Sequence, residues 1–450
     1  MQRLILSIPC FLITILLYAQ SLFGPVASNN DSIQKPVPFA MNGSLRTSIY
    51  APGEIFDYNS ILLDFALITR VQKNDFSLYA ESRLRKGWLF QGPIEQFQLR
   101  EAYAAYKQEN ISLKLGNQII KWGSADGFNP TNNISPKDYF WNTTEPDEQN
   151  IANFMLSGKY KISRHMQFEF IGIPFYKASS YRYDLIKKEE NIRFNPVNYT
   201  ELKIKDGALA ARLLYNTNSF SCTASIFNGL DPFTAFDIQQ IIWTEQNPFI
   251  AFEIRPYRKT SIGFDFETII EGFILRGETA YNYTSDFENN IHVPNPDLAY
   301  VMNLENSFYD WHMILQYIGK YTLNYYNPIE PELPSNPTDP ILMQNYFNQM
   351  IAFDSGLFNA QIFGQQKRIS HAVSLTLLRS FNYETMEFQM NAYYNFITEE
   401  YLLKPKFTWM PSDLMTIHLG LNYMYGKERA LFAYIAPYMN GFFIEINTHF

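Results

Sequence analysis

Only two cysteines, Cys10 and Cys222, occur in the 450 residues. They exclude a disulfide framework, and a zinc or iron–sulfur ligand set cannot be built from them. Long apolar runs are also missing. After the first 23 residues no stretch approaches the roughly 18 apolar residues of a membrane helix, which rules out a helical membrane protein. Charge is scarce, at 18% Asp, Glu, Lys and Arg, against about 25% in ordinary globular chains. Basic residues are not in excess: 36 Lys and Arg face 44 Asp and Glu, a net charge of -8. With no dense Lys/Arg run, a nucleic-acid partner is excluded. No Gly-x-Ser-x-Gly pattern marks a nucleophile elbow, so an enzyme is not expected. His165, His312, His371, His418 and His449 lie on distant segments, with no pair at ligand spacing beside a carboxylate. Neither a metal site nor a cofactor is implied.

What the chain has in plenty is aromatic residues, 17% of the total with 31 Tyr and 38 Phe. Mean hydropathy is nevertheless only -0.21, so the rings are interleaved with polar residues. The chain opens Met1-Gln2-Arg3 and runs almost wholly apolar from Leu4 to Tyr18. A basic start followed by an apolar core of about 15 residues predicts a secretory signal peptide. We place it at 1–24, with the cut between 19 and 27. Residues 25–40, rich in Pro, Ser and Asn, read as a flexible lead-in, and 41–450 as one domain. Cys222 is then the only thiol of the mature chain.

One pattern recurs through that domain. In Phe76-Ser77-Leu78-Tyr79-Ala80-Glu81-Ser82-Arg83 the residues alternate apolar and polar, and the same holds for 111–118, 386–393 and 415–421. Residues two apart share a face in a strand, so each segment has one greasy and one wet face. The segments run to about 10 residues, longer than the 5–6 usual in a soluble sandwich. Tight turns at 72–74, 108–110, 163–165, 217–219, 271–272, 309–310, 381–382 and 411–413 alternate with longer stretches. Those stretches are 50–58, 85–95, 121–152, 174–205, 229–258, 285–297, 323–367 and 426–439. Strict alternation of short turns and long loops is the connectivity of an outer-membrane barrel.

The predicted strands lie near 41–49, 59–71, 75–84, 97–107, 111–120, 153–162, 166–173, 207–216 and 220–228. The second half adds 260–270, 273–284, 298–308, 311–322, 369–380, 383–396, 401–410, 413–425 and 441–450. The count is about 18, even, with both ends on the periplasmic side. Ile250–Arg255 has strand character but would break the alternation, so it is placed in a loop. Pro405 makes its strand the weakest, because proline cannot donate to the ladder.

In hydrocarbon every backbone amide needs a partner within the protein, and only helices and closed sheets supply one. With helices excluded, the predicted fold is all-β: an antiparallel up-and-down transmembrane barrel of about 18 strands (16–20). Tyr103, Tyr106, Trp122, Tyr160, Tyr281, Tyr283, Tyr394, Trp409, Tyr423 and Tyr425, near strand ends, suit interfacial girdles. Alternation also assigns charges to the lumen. Strands three to six turn Arg83, Arg85, Arg100, Lys114, Lys159 and Lys161 inward beside Glu81, a basic wall. Later strands turn Asp265, Glu267, Glu278, Glu305 and Glu445 inward against Arg276, an acidic wall. On the lipid face such charges would cost about 2–4 kcal/mol each at the midplane.

A barrel of this size holds an aqueous channel, and opposed walls of charge orient polar solutes. The expected function is passive diffusion of small hydrophilic solutes, with anionic or zwitterionic ones favoured. Two alternatives are a carrier of hydrophobic substrates, similar to fatty-acid channels, and a surface adhesin or structural barrel using loops 174–205 and 323–367. The short lead-in weighs against the first.

The last residues, Phe442 to Phe450, alternate and end on Phe. This resembles the C-terminal strand of bacterial outer-membrane barrels, which implies the insertion machinery as a partner through Phe450, and outer-membrane lipid as the surroundings. Gly116-Asn117-Gln118, Trp122-Gly123, Asp126 and Asn129-Pro130 together resemble a motif of porin-like outer-membrane families, including poorly characterised ones. Arg276-Gly277-Glu278 is similar to a recurrent element of the same barrels. The resemblance implies that loop 121–152 folds into the barrel mouth as a constriction, placing Trp122, Asp126 and Asn129 near a solute. A plain turn built by Asp, Gly and Asn-Pro is the competing reading.

Overall fold

The computed structural model describes residues 39–52, 60–90, 92–125, 127–182, 191–195, 204–244, 248–428 and 430–450. The signal segment and nearly all of the lead-in lie outside the described residues. Eighteen strands form one antiparallel sheet closed by pairing of its first and last members. They are β1 (Phe39–Pro52), β2 (Ser60–Lys73), β3 (Phe76–Leu89), β4 (Gly92–Lys107), β5 (Ile111–Gln118), β6 (Asn153–Lys161), β7 (Met166–Ile173), β9 (Ala208–Asn216) and β10 (Phe220–Leu230). The circuit continues through β13 (Arg258–Ile270), β14 (Phe273–Thr284), β15 (Asp297–Phe308), β16 (Trp311–Thr322) and β17 (Ile369–Phe381). It ends with β18 (Met386–Asn395), β19 (Glu400–Ser412), β20 (Met415–Tyr425) and β21 (Gly441–His449).

Each of the eighteen matches a segment read from alternation, and every tight turn joins neighbours in the sheet. The seam is sealed by Gly43 N–H to Phe450 O (2.8 Å) and Phe450 N–H to Gly43 O (2.9 Å). Closure leaves no barrel edge unpaired, which hydrocarbon demands. No described helix is long and apolar enough to cross a membrane.

The faces are inverted relative to a soluble protein. Leu63, Phe76, Leu84, Phe97, Leu209, Ile262 and Phe442 point outward and are exposed, while Asp64, Glu81, Arg83, Asp265, Glu278 and Glu445 are buried inside. An oily exterior around a polar interior is stable only with lipid outside. Tyr160, Tyr281, Tyr283, Tyr394, Trp409, Tyr423 and Tyr425 are exposed, as a girdle requires. Tyr103 instead turns inward and stacks on Tyr79, and Trp122 is buried in a loop.

Two sequence readings need correction. Residues 85–95 are not a loop, since β3 continues to Leu89 and β4 begins at Gly92. The outward Trp88 and the Lys86–Glu95 pair extend the alternation up this hairpin. Ile250–Arg255 does lie outside the barrel, but it is a strand. As β12 (Phe249–Arg255) it pairs antiparallel with β11 (Ala235–Ile242) and parallel with β8 (Ile192–Asn195) in a separate small sheet. Helix α1 (Pro340–Ile362), capped by Asp339, packs Phe358 on Phe236 of that sheet. Asn359 holds the Phe236 carbonyl at 2.7 Å. With helix α2 (Leu431–Met439), whose Tyr434 meets Phe358, these elements cap the long-loop end.

Candidate functional site in the lumen

Loop 119–152 leaves β5 and crosses the lumen before entering β6. It starts against one wall, where Trp122, 2% exposed, packs with Ile134, Met155, Ile171, Ala210 and Phe227. Arg212 lies 5.0 Å over the Trp122 ring and donates to Glu169 at 2.6 Å. Ser135 ties the segment by bonding both the amide and the carbonyl of Ile120 at 2.9 Å. Trp122 therefore seats the loop on the wall and is closed off from solvent.

The loop then meets β14. Glu278 accepts from the amide of Ala125 (2.7 Å) and from the hydroxyl of Thr131 (3.1 Å). Gly123 lies against the same carboxylate with φ +100, and a Cβ there would collide with it. The two motifs singled out in the sequence are thus halves of one latch, the glycine making room for the glutamate. Asn129 is part of the turn, its amide near the Trp122 carbonyl at 3.5 Å. Phe128 reaches the far wall and stacks on Tyr393 of β18 at 5.4 Å. Asp126 lies outside the described residues.

The second half of the loop follows the basic wall. Thr144 donates to Glu445 at 2.7 Å, and Glu445 is fully buried. Glu148 takes both guanidinium nitrogens of Arg83, one of them at 3.0 Å, while Arg100 donates to the Asp147 carbonyl at 3.0 Å. Beneath, one oxygen of Asp64 meets Arg46 (2.8 Å), Arg83 (3.2 Å) and Arg85 (3.0 Å). Glu81 pairs with Arg83 and with Arg100, and Arg85 lies 4.1 Å over the Trp141 ring. Four arginines and three carboxylates form one network, so it carries one positive charge beyond neutrality. Burial would raise the Glu148 carboxyl, but Arg83, then Arg100 and Arg46, hold it down to about 2.

The structure brings Arg83, Arg85 and Arg100 together and keeps the predicted lysines apart. Lys114 leans on the Tyr103 ring at 4.5 Å; Lys159 lies 3.6 Å from Glu169; Lys161 is exposed at the periplasmic end of β6. On the acidic side, Glu267 (2.6 Å) and Glu305 both clasp Arg276, and Asp265 lies opposite Thr223 in the ladder. Arg46, Asp64, Glu148, Glu169 and Arg212 were missed by the sequence reading. Wall parity extended to β1, β2, β7 and β9 finds four of them, whereas Glu148 sits in an aperiodic loop and gives no such signal.

Below the loop a cavity of ≈ 370 Å³ opens toward the periplasmic end, lined by Arg46, Arg83, Glu148, Glu387, Lys406 and His418 among others. At about 30 Å³ per water it holds roughly a dozen waters or one small polar solute. Among the described residues no group of three or more His, Cys, Asp or Glu could hold a metal.

A family described as "Protein of unknown function (DUF1302)" matches residues 69–184, less than half the chain. That stretch holds the basic wall and the whole inward loop. No curated protein matches the sequence. Among solved structures the chain is similar to OccK3 (OpdO) of Pseudomonas aeruginosa, at 9% identity and TM-score 0.52, covering 92% of this chain and 95% of that one. It is similar to OccAB4 of Acinetobacter baumannii at 10% identity and TM-score 0.52, covering 92% and 100%. The outer membrane protein opdK of Pseudomonas aeruginosa matches at 7% identity and TM-score 0.52, covering 92% and 98%. At such identities the likeness is one of fold, that of a closed 18-stranded antiparallel barrel.

Proposed function

We propose that the protein is an outer-membrane channel for passive passage of small hydrophilic solutes, narrowed by loop 119–152. The observation that carries this reading is a polar lumen crossed by a loop latched to three sectors of the wall, with a charged cavity beneath it. Similar solved structures include one described as an outer membrane protein, which agrees with this reading. Anionic or zwitterionic solutes are the favoured class. The arginine network that borders the cavity carries one positive charge beyond its own carboxylates. Phe450, at the seam, is the residue through which the insertion machinery would recognise the chain.

We assign no catalysis. Ser307 contacts His312 at 3.0 Å, and His312 contacts Glu305 at 3.4 Å, an arrangement that invites comparison with a hydrolytic triad. Glu305 is committed to Arg276, however, so the histidine lacks a free carboxylate to orient it. Planar-bilayer recordings test the channel reading. Discrete conductance steps with a reversal potential toward the chloride equilibrium are expected; absence of conductance removes the pore, and a potassium-selective potential removes the anion preference.

A further inference from the structure

Lipid should meet almost no charge on this barrel. Register turns only six of the described strand residues with ionisable Lys, Arg, His, Asp or Glu side chains outward: Lys73, Lys86, Glu95, Arg258, His371 and Arg379. Lys73 and Arg258 are terminal residues of their strands, and Lys86 pairs with Glu95 on the tall hairpin. His371 bonds the Tyr317 hydroxyl at 2.5 Å. Arg379 differs. It lies inside β17, two residues before its end, directly across from Trp311, the first residue of β16, and from Phe388 on β18.

That position is level with the periplasmic rim. The guanidinium lies 5.5 Å from the Trp311 ring centre and 5.0 Å from that of Phe381. Leu377 and Met313 continue the same outer face toward mid-membrane. One nitrogen contacts Asp310 at 3.2 Å, Nε is buried with no hydrogen-bond partner, and the side chain remains 35% exposed. Beside it a cavity of ≈ 650 Å³ lies between the two turns, lined on its outer side by Tyr309, Asp310, Trp311, Arg379, Tyr383 and Glu384 and reaching the inward-facing Ser307 and His312. Tyr309 and Tyr383 are almost fully exposed on their turns.

The charges are arranged by depth: a cation at the level of the strand ends, carboxylates on the turns just beyond it. A zwitterionic headgroup carries the complementary order, phosphate nearer the acyl chains and ammonium farther out. Guanidinium is the side chain best matched to phosphate oxygens, and aromatic rings at this depth suit the headgroup region. We propose that this rim cavity binds an aminophospholipid of the inner leaflet, its phosphate on Arg379 and its ammonium on Asp310 and Glu384. The acyl chains then lie along Leu377 and Met313. A phospholipid with a neutral glycerol headgroup satisfies only half of the site.

Native mass spectrometry of the full chain refolded in detergent micelles tests this, with phosphatidylethanolamine and phosphatidylglycerol of identical acyl chains as probes. The wild-type barrel is expected to retain the ethanolamine lipid preferentially, and R379Q to lower that retention by about tenfold, the effect of losing one charge-assisted contact. The double variant Asp310→Asn, Glu384→Gln is expected to abolish the preference between the two lipids while retaining binding. Excess inorganic phosphate should fail to displace the lipid, which separates a headgroup site from a free-anion site. Unheated gel mobility confirms that each variant is a folded barrel. Equal retention by R379Q and wild type, wild-type preference for the glycerol lipid, or displacement by phosphate overturns the proposal.

Discussion

Gly123 illustrates what a single position decides in this lumen. Its backbone is left-handed, and the space its side chain would fill belongs to the Glu278 carboxylate. Gly123→Ala is expected to cost about 1–3 kcal/mol in strain and to free the first half of the loop. Single-channel recording should show a larger, noisier conductance while the barrel still migrates as folded on unheated gels. Glu148 sets the acid limit of the other half. Its folded value is held at about 2, below the roughly 4.3 of an unfolded glutamate. A depressed carboxylate stabilises above the unfolded value, and that contribution disappears as pH falls from about 4.3 toward 2. Denaturant titrations at pH 7, 4 and 2.5 should therefore show a smaller acid loss for E148Q than for wild type. At this scale the sequence was only half legible. Strand parity placed Arg83 and Glu278 on inner faces, but their partners come from a loop without periodicity, so Glu148 and Thr131 could not be paired with them in advance.

Strands were far more readable, because lipid and water impose opposite demands on alternate residues for the full length of each element. The β19 strand shows how robust that constraint is. Pro405 pairs with Met390 on one side, while the ladder to β20 skips Lys404 and Pro405 and resumes at Lys406–Gly420. A missing donor is absorbed by neighbours and does not end the strand. The hairpin over 85–95 was misread because Gly87, Gln91 and Pro93 resemble loop composition, although β3 and β4 stay paired up to Leu89 and Gly92, level with the end of β2 and well past β5. Of the small sheet only Ile250–Arg255 showed strand character in the sequence, and helix α1 lay in a stretch read as loop. At the seam, Phe450 covers Gly43, where a Cβ would strike its ring, and its ring centre lies 6.0 Å from that of Phe65. Phe450→Ala is expected to slow closure of β1 on β21, seen as slower appearance of the compact gel form during refolding into vesicles. Conductance of the product should be unchanged, because the ring is on the outer face.

For the whole molecule, the question is whether wall charges serve permeation or only hold the lumen together. The two uses separate by burial. Arg83 is sealed among Asp64, Glu81 and Glu148. Removing it leaves three arginines against three carboxylates, each still paired, but takes away its charge-assisted contacts, and R83Q is expected to cost about 1.5–3 kcal/mol. Lys159 and Lys161 are exposed near the periplasmic mouth, where water screens them. The double variant Lys159→Gln, Lys161→Gln keeps Arg212 on the buried Glu169 at 2.6 Å, so it should lose about 1 kcal/mol or less of unfolding free energy. It should nonetheless move the reversal potential toward cations, because a charge at a channel mouth changes the local concentration of permeant ions without any role in packing. Paired reversal-potential and denaturation measurements on both variants resolve the question. If the double lysine variant leaves the potential where it was, selectivity is set deeper, by the excess cation of the arginine network that the inward loop covers.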